Sequence, residues 1–136
     1  MWHVLGVPPI ARPTIPALAF VAMLVSAAAC KDRPPTPAEI ADRGWRAHEQ
    51  VVTAGERAAT CAEAGAAMQR AFADHRPDFV AAIQLDRAPQ RLAEATAYLE
   101  AHQDRYADLE TRMTGLSERC IDDPAVQAVF SQMESP

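Results

Sequence analysis

The chain has no CxxC pair, no CxxCH and no cysteine–histidine spacing of the zinc-binding kind. These absences exclude a thioredoxin-type redox centre, covalent haem attachment and a structural zinc finger. Its five glycines form no phosphate-cradling loop, and no serine-nucleophile motif occurs. Nucleotide hydrolysis and esterase chemistry therefore have no support in the sequence. No window of the later chain alternates apolar with polar residues, which argues against any sheet-based fold. Positive charge is scarce. Thirteen basic side chains face 18 acidic ones, and Lys31 is the single lysine. That mild acidity argues against a nucleic-acid groove or a polybasic membrane patch.

What is present begins with an uncharged apolar run over residues 14–29. Arg12 and the Met1 amine supply a positive flank before it. The run ends in small residues, with alanine at 27 and 29. This is the layout of a secretory signal, and it falls short of the roughly 20 apolar residues that span a bilayer. The next residue is Cys30. Here the first thirty residues resemble bacterial lipoprotein precursors. In that family a small residue precedes a cysteine that is diacylated on sulfur, becomes the mature N-terminus and takes a third acyl chain on its amine. Ala27 stands where leucine is commonest in the family. The resemblance implies that 1–29 is a signal peptide, that Cys30 is lipidated, and that the protein hangs from a membrane of the cell envelope, facing the periplasm. Lys31 in place of aspartate implies the outer membrane. The residues alone also allow a plain Ala27-x-Ala29 cleavage giving a soluble secreted protein, or an uncleaved anchor.

Removing 29 residues from the 136 leaves 107, the size of one small domain. Cys61 and Cys120 then form an even pair, and an exported chain in an oxidising compartment is expected to join them as a disulfide. Residues 30–37 carry prolines at 34, 35 and 37 and are expected to be a short extended tether. Residues 38–136 read as an all-α domain, rich in alanine, arginine, glutamate and glutamine.

Thr36, Pro37 and Glu39 form a capping box that opens a first helix. Its stripe is Ile40, Gly44, Ala47, Val51, Ala54 and Ala58. Thr60 and Glu63 form a second box, so a boundary is expected near 59–60. The stripe nevertheless continues in phase through Cys61, Gly65, Met68 and Phe72, and one long helix stands as the alternative. The second helix is expected to reach Arg76, to be disturbed at Pro77, and to resume through Leu85. A turn at Asp86–Pro89 opens a third helix striped by Leu92, Ala95, Leu99, His102, Tyr106, Leu109, Met113, Leu116 and Cys120. Asp122, Asp123 and Pro124 end it and start a last helix offering Val126, Val129, Phe130 and Met133.

Helices two and three fit one antiparallel register. Cys61 faces Cys120, Gly65 faces Leu116, Met68 faces Met113, Phe72 faces Leu109 and His75 faces Tyr106. The expected fold is a small antiparallel helical bundle built on this disulfide-stapled hairpin.

The same register brings His75 and His102 within a turn of each other. Histidine and methionine on facing helices ligate haem or copper in some bundles. In size the arrangement resembles exported four-helix b-type cytochromes. Against this, seam methionines are commonly core filler. His48 reads as a flanking residue. Trp45 and Tyr98, beside their stripes, either close the bundle edge or mark a partner-facing patch. The acidic residues of helix three alternate with arginine as on a solvated face. No catalytic set, cofactor or small-molecule substrate is expected. The mature part is similar to small helical lipoproteins with one disulfide, a group that implies no activity. The expected role is non-enzymatic binding or structure at the membrane, with another envelope protein as candidate partner. A metal or haem carrier using His75 and His102 is the alternative.

Overall fold

The computed structural model describes residues 33–136. The expected signal peptide over 1–29, Cys30 and the first residues of the expected tether lie outside the described residues. Five helices follow: α1 (Pro37–Glu56), α2 (Cys61–Leu85), α3 (Pro89–Ala101), α4 (Gln103–Arg119) and α5 (Pro124–Glu134). Among the described residues there is no strand. The expected all-α bundle with a Cys61–Cys120 disulfide is what the structure shows, with a Cα–Cα separation of 5.5 Å.

Both capping boxes form. The Glu39 amide donates to the Thr36 hydroxyl at 3.2 Å, and the Thr36 amide donates to the Glu39 carboxylate at 2.8 Å. Thr60 and Glu63 exchange the same pair of bonds, each at 3.2 Å. The second box consumes the amides that a continuous helix would direct at the α1 carbonyls. The chain therefore breaks between Glu56 and Cys61, and the one-long-helix alternative does not occur. At the closing end, Asp123 accepts from the amides of Ala125 and Val126, both at 3.0 Å, and starts α5.

Two expectations about helix continuity are corrected. The second helix was expected to be disturbed at Pro77, yet α2 runs through it. Proline removes one amide and leaves the Ala73 carbonyl without its usual partner. Pro77 and Ala73 are both exposed, on the solvent side of α2, where a helix tolerates the lost bond. The third helix was expected to be one rod, yet it breaks at His102. The imidazole Nδ1 sits 2.8 Å from the Tyr98 carbonyl, the group that the His102 amide would bond in a regular helix. Displaced, that amide bonds Leu99 instead, at 3.1 Å. A side chain competing for the helical ladder is a recognised cause of a kink.

The hairpin register is also corrected. α2 packs mainly on α1 and α5, while α1 packs on α2 with one flank and on α3 and α4 with the other. A Cβ added at Gly65 would come within 2.8 Å of the Ala125 Cβ, so Gly65 faces α5 and not Leu116. Leu116 faces Gly55 of α1, where an added Cβ would lie 2.6 Å from its Cδ2. Met68 meets the same glycine, 2.8 Å from that added atom to the sulfur. The amphipathic stripes were read correctly, but an apolar stripe does not say which neighbour covers it.

The main core joins Val51, Val52, Met68, Phe72, Phe79, Leu109, Leu116, Val126, Val129 and Met133, with Cys120 buried beside them. A smaller core of Ile40, Ala41, Leu85 and Ala95 fills the end where α1 begins and α2 stops.

Two outcomes follow for stability. Replacing Gly65 with alanine should destabilise by about 1–3 kcal/mol through overpacking. Replacing Gly115, which has open space around it, should stabilise by up to about 1 kcal/mol through helix propensity. Denaturant unfolding of the two variants checks both signs. Reducing the disulfide, which closes a loop across 59 positions, should remove roughly 4 kcal/mol and lower Tm by roughly 15 °C or more. Calorimetry with and without reductant measures it.

Candidate functional site

Four helices leave a half-open, largely apolar cleft of about 370 Å³ at the end of the bundle away from the disulfide. Its walls come from inward positions one turn apart. α1 supplies Ala41, Trp45 and His48, and α2 supplies Ala82 and Leu85 with Asp86 just beyond. α3 contributes Leu92, Ala95 and Leu99, and α4 contributes Tyr106, Leu109, Glu110 and Met113. Three of these inward positions are alanine. They bring helices close without filling the space among them, and the break at His102 divides the outer wall between α3 and α4.

The polar groups of the cavity are few. The Tyr106 hydroxyl is buried and has no hydrogen-bond partner. Burial pushes its pKa up to about 12, with Tyr98 adding to the rise and Arg105 opposing it. His48 packs on Phe79, ring centroids 4.6 Å apart, with Nδ1 2.8 Å from the Gly44 carbonyl. Burial lowers its pKa, and the Gly44 carbonyl works the other way. The imidazole is thus neutral at pH 7, its Nδ1–H donating to Gly44. Asp86 and Glu110 stand exposed at the rim.

A polar lattice covers the α1–α3–α4 edge beside this cavity. The Tyr98 hydroxyl donates to Asp42 at 2.5 Å, Arg46 donates to the other oxygen at 2.8 Å, and Arg105 approaches to 3.5 Å. The Tyr98 bond, then Arg46 and Arg105, holds the Asp42 carboxyl below the usual carboxylate range. The Arg105 guanidinium lies 3.7 Å over the Trp45 ring, and the Trp45 indole donates to the Arg105 carbonyl at 3.4 Å. Tyr98 stacks on His102 at 4.2 Å. Trp45 and Tyr98 therefore close the bundle edge, one of the two roles the sequence allowed. Further along, Arg112 ties α4 to α1 by bonds to Glu56 at 2.7 Å and Thr53 at 2.8 Å. The Arg112 bond holds the Glu56 carboxyl below its ordinary range.

The residues singled out for chemistry fall in different places. Cys61 and Cys120 are joined as expected. Cys30 lies outside the described residues. His75 lies 3.5 Å from Asp78 on its own helix, and the His102 imidazole is held by the Tyr98 carbonyl on α3, so each histidine has a partner of its own. Among the described residues no group of three or more His, Cys, Asp or Glu side chains converges as a metal site. The cavity was missed. Its signal was present as alanines at inward positions of three helices, but their common focus depends on which helices are neighbours.

No protein-family model matches this chain, and no curated protein and no solved structure is found to be similar to it. The fold and the cavity must be interpreted on their own chemistry.

The buried neutral His48 has a consequence for stability. Its pKa is depressed on folding, so the unfolded chain binds more protons below pH 6.5. The stability linked to its neutral form is complete above that value and is lost as pH falls through the lower folded value. Tm should therefore drop as the pH is taken below 6.5, and His48→Leu should flatten that interval. The losses linked to Asp42 and Glu56, which start from 3.8 and 4.5, should persist in the variant. Thermal melts across pH on both proteins check this.

Proposed function

We propose that this chain is a lipid-anchored protein of the bacterial cell envelope, its helical domain serving in binding or structure at the periplasmic face and not in catalysis. The observation that carries the reading is the uncharged run closing in Ala27-Ala28-Ala29-Cys30 behind a positive flank. The use of the other cysteines supports it. Cys61 and Cys120 are consumed by a disulfide, which suits an oxidising compartment and leaves Cys30 as the odd thiol. In this reading attachment is through acyl chains on Cys30; among the described residues no helix is long and apolar enough to cross a membrane. Each acyl CH2 contributes about 0.8 kcal/mol, and two or three chains hold durably where one does not. Lys31 after the cysteine favours the outer membrane.

Intact mass spectrometry of the chain from producing cells should show a mature N-terminus at Cys30 carrying acyl mass. Cys30→Ser should block that processing. A free Cys30 or a retained Met1 would overturn the proposal. A Soret band or stoichiometric copper, lost on joint substitution of His75 and His102 by alanine, would replace the binding role with the carrier alternative.

A further inference from the structure

The two sulfurs of the Cys61–Cys120 bond stand in unlike surroundings. Cys120 is 2 % exposed and packed in the main core. Cys61 is half-buried at the first position of α2, and its chain neighbours Thr60 and Ala62 are exposed. Thiol–disulfide exchange begins with attack of a thiolate on one of the two sulfurs, and access helps decide which. A thiolate arriving from solvent reaches Cys61 and has no path to Cys120.

We infer that this bond is a one-sided exchange site: an external thiolate enters at Cys61, and Cys120 is the leaving sulfur, kept in the core to restore the bond. The substrate class is a small thiol or dithiol. The inference goes beyond the anchor reading and stands whether or not Cys30 is acylated.

The exchange has two possible second steps. In the first step the external sulfur bonds to the Cys61 Sγ, and the bond from Cys61 to Cys120 breaks with its electron pair going to Cys120. Apolar surroundings favour the neutral form, so Cys120 takes a proton from solvent. Reclosure runs the other way: Cys120 gives up the proton, attacks Cys61 and expels the external thiolate. Full reduction instead needs a second external thiolate, which attacks the external sulfur of the adduct and releases Cys61 as a thiol. Two external thiols then become one disulfide, and the protein gains two electrons and two protons.

Reclosure requires the two sulfurs to stay adjacent, and the contacts around them provide this without the bond. The Cys120 carbonyl accepts from the Gln127 side chain at 3.1 Å and from the Asp123 amide at 3.0 Å, and the Cys120 amide donates to the Leu116 carbonyl at 3.1 Å. Cys61 is set by the Thr60–Glu63 capping box. Arg119 donates to the Gly55 carbonyl, and Arg112 holds Glu56 and Thr53, so α4 stays tied to the end of α1. One turn beyond Cys61, Gly65 lies against Ala125 of α5. Opening the bond is therefore a local event at one end of a bundle that persists.

The test uses the full chain isolated from producing cells, with glutathione as the small thiol. Trypsin cleaves after Arg57, Arg70 and Arg119, which puts Cys61 and Cys120 on separate peptides. After incubation with excess glutathione and an acid quench, the glutathione adduct should sit on the Cys61 peptide and be absent from the Cys120 peptide. After full reduction with dithiothreitol at room temperature, circular dichroism should show unchanged helix content. Iodoacetamide should then alkylate Cys61 at least about tenfold faster than Cys120, because a buried thiol reacts only through local opening. In guanidinium chloride the two rates should converge. An adduct on Cys120, no adduct on the folded chain, equal alkylation in buffer, a rate difference that survives in denaturant, or loss of helix on reduction would overturn the inference. Every measurement is made on the unsubstituted chain, so none depends on a variant folding. Failure here leaves the mass of the mature N-terminus untouched, so the two readings fall separately.

Discussion

Gly55 is the point where three helices meet, and the arrangement depends on its having no side chain. Leu116 of α4 and Met68 of α2 both reach into the volume a Cβ would occupy. Arg119 donates to the Gly55 carbonyl at 3.1 Å, and Arg112 grips Glu56 one residue on. The Cys61–Cys120 bond ties the start of α2 to the end of α4 at the same end of the bundle. Close packing, a helix end served by arginine, and a covalent link thus coincide. They hold α1 between α2 on one flank and α3 and α4 on the other.

The opposite end is built differently. There α3 and α4 part at His102, one inward position on each of α1, α2 and α3 is alanine, and the Cys61–Cys120 link is at the far end. Polar contacts take over along the rim: Asp42 with Tyr98, Arg46 and Arg105, and Arg105 over Trp45. These groups are partly exposed, so each contributes modestly, but together they span α1, α3 and α4. A bundle pinned tightly at one end and joined by surface contacts at the other leaves unfilled apolar volume at the second. The kink has its own local cause, a histidine that takes the carbonyl its backbone would have used.

Much of this was legible in the residues. Thr36 with Glu39, and Thr60 with Glu63, are local signals, because a capping box needs only a four-residue stretch to form. The all-α class followed from propensity and period, which sum over many residues. Pro77 misled because its effect depends on exposure: at a solvent-facing position a helix carries the lost bond. His102 misled because a single side chain, one polar atom in a long apolar stripe, broke the ladder. The constant-register argument for α2 against α3 and α4 was arithmetically sound and still paired the wrong faces. Any two antiparallel helices with apolar stripes satisfy it, and α1 had the better claim through the close approach that Gly44 and Gly55 allow.

By itself, the sequence determined the all-α class, the two capping boxes, the two cysteines that pair, and the N-terminal segment that motivates an envelope address. These are set by short-range chemistry or by patterns along one stretch of chain. Only the tertiary structure decided that α1 sits between its neighbours, that Gly65 lies on α5, that His75 and His102 engage separate partners, and that Tyr106 is buried without one. The reason is that an apolar face carries no label for its partner. Which faces meet is settled by how closely backbones approach and what volume remains, and those quantities exist only once all the helices are in place.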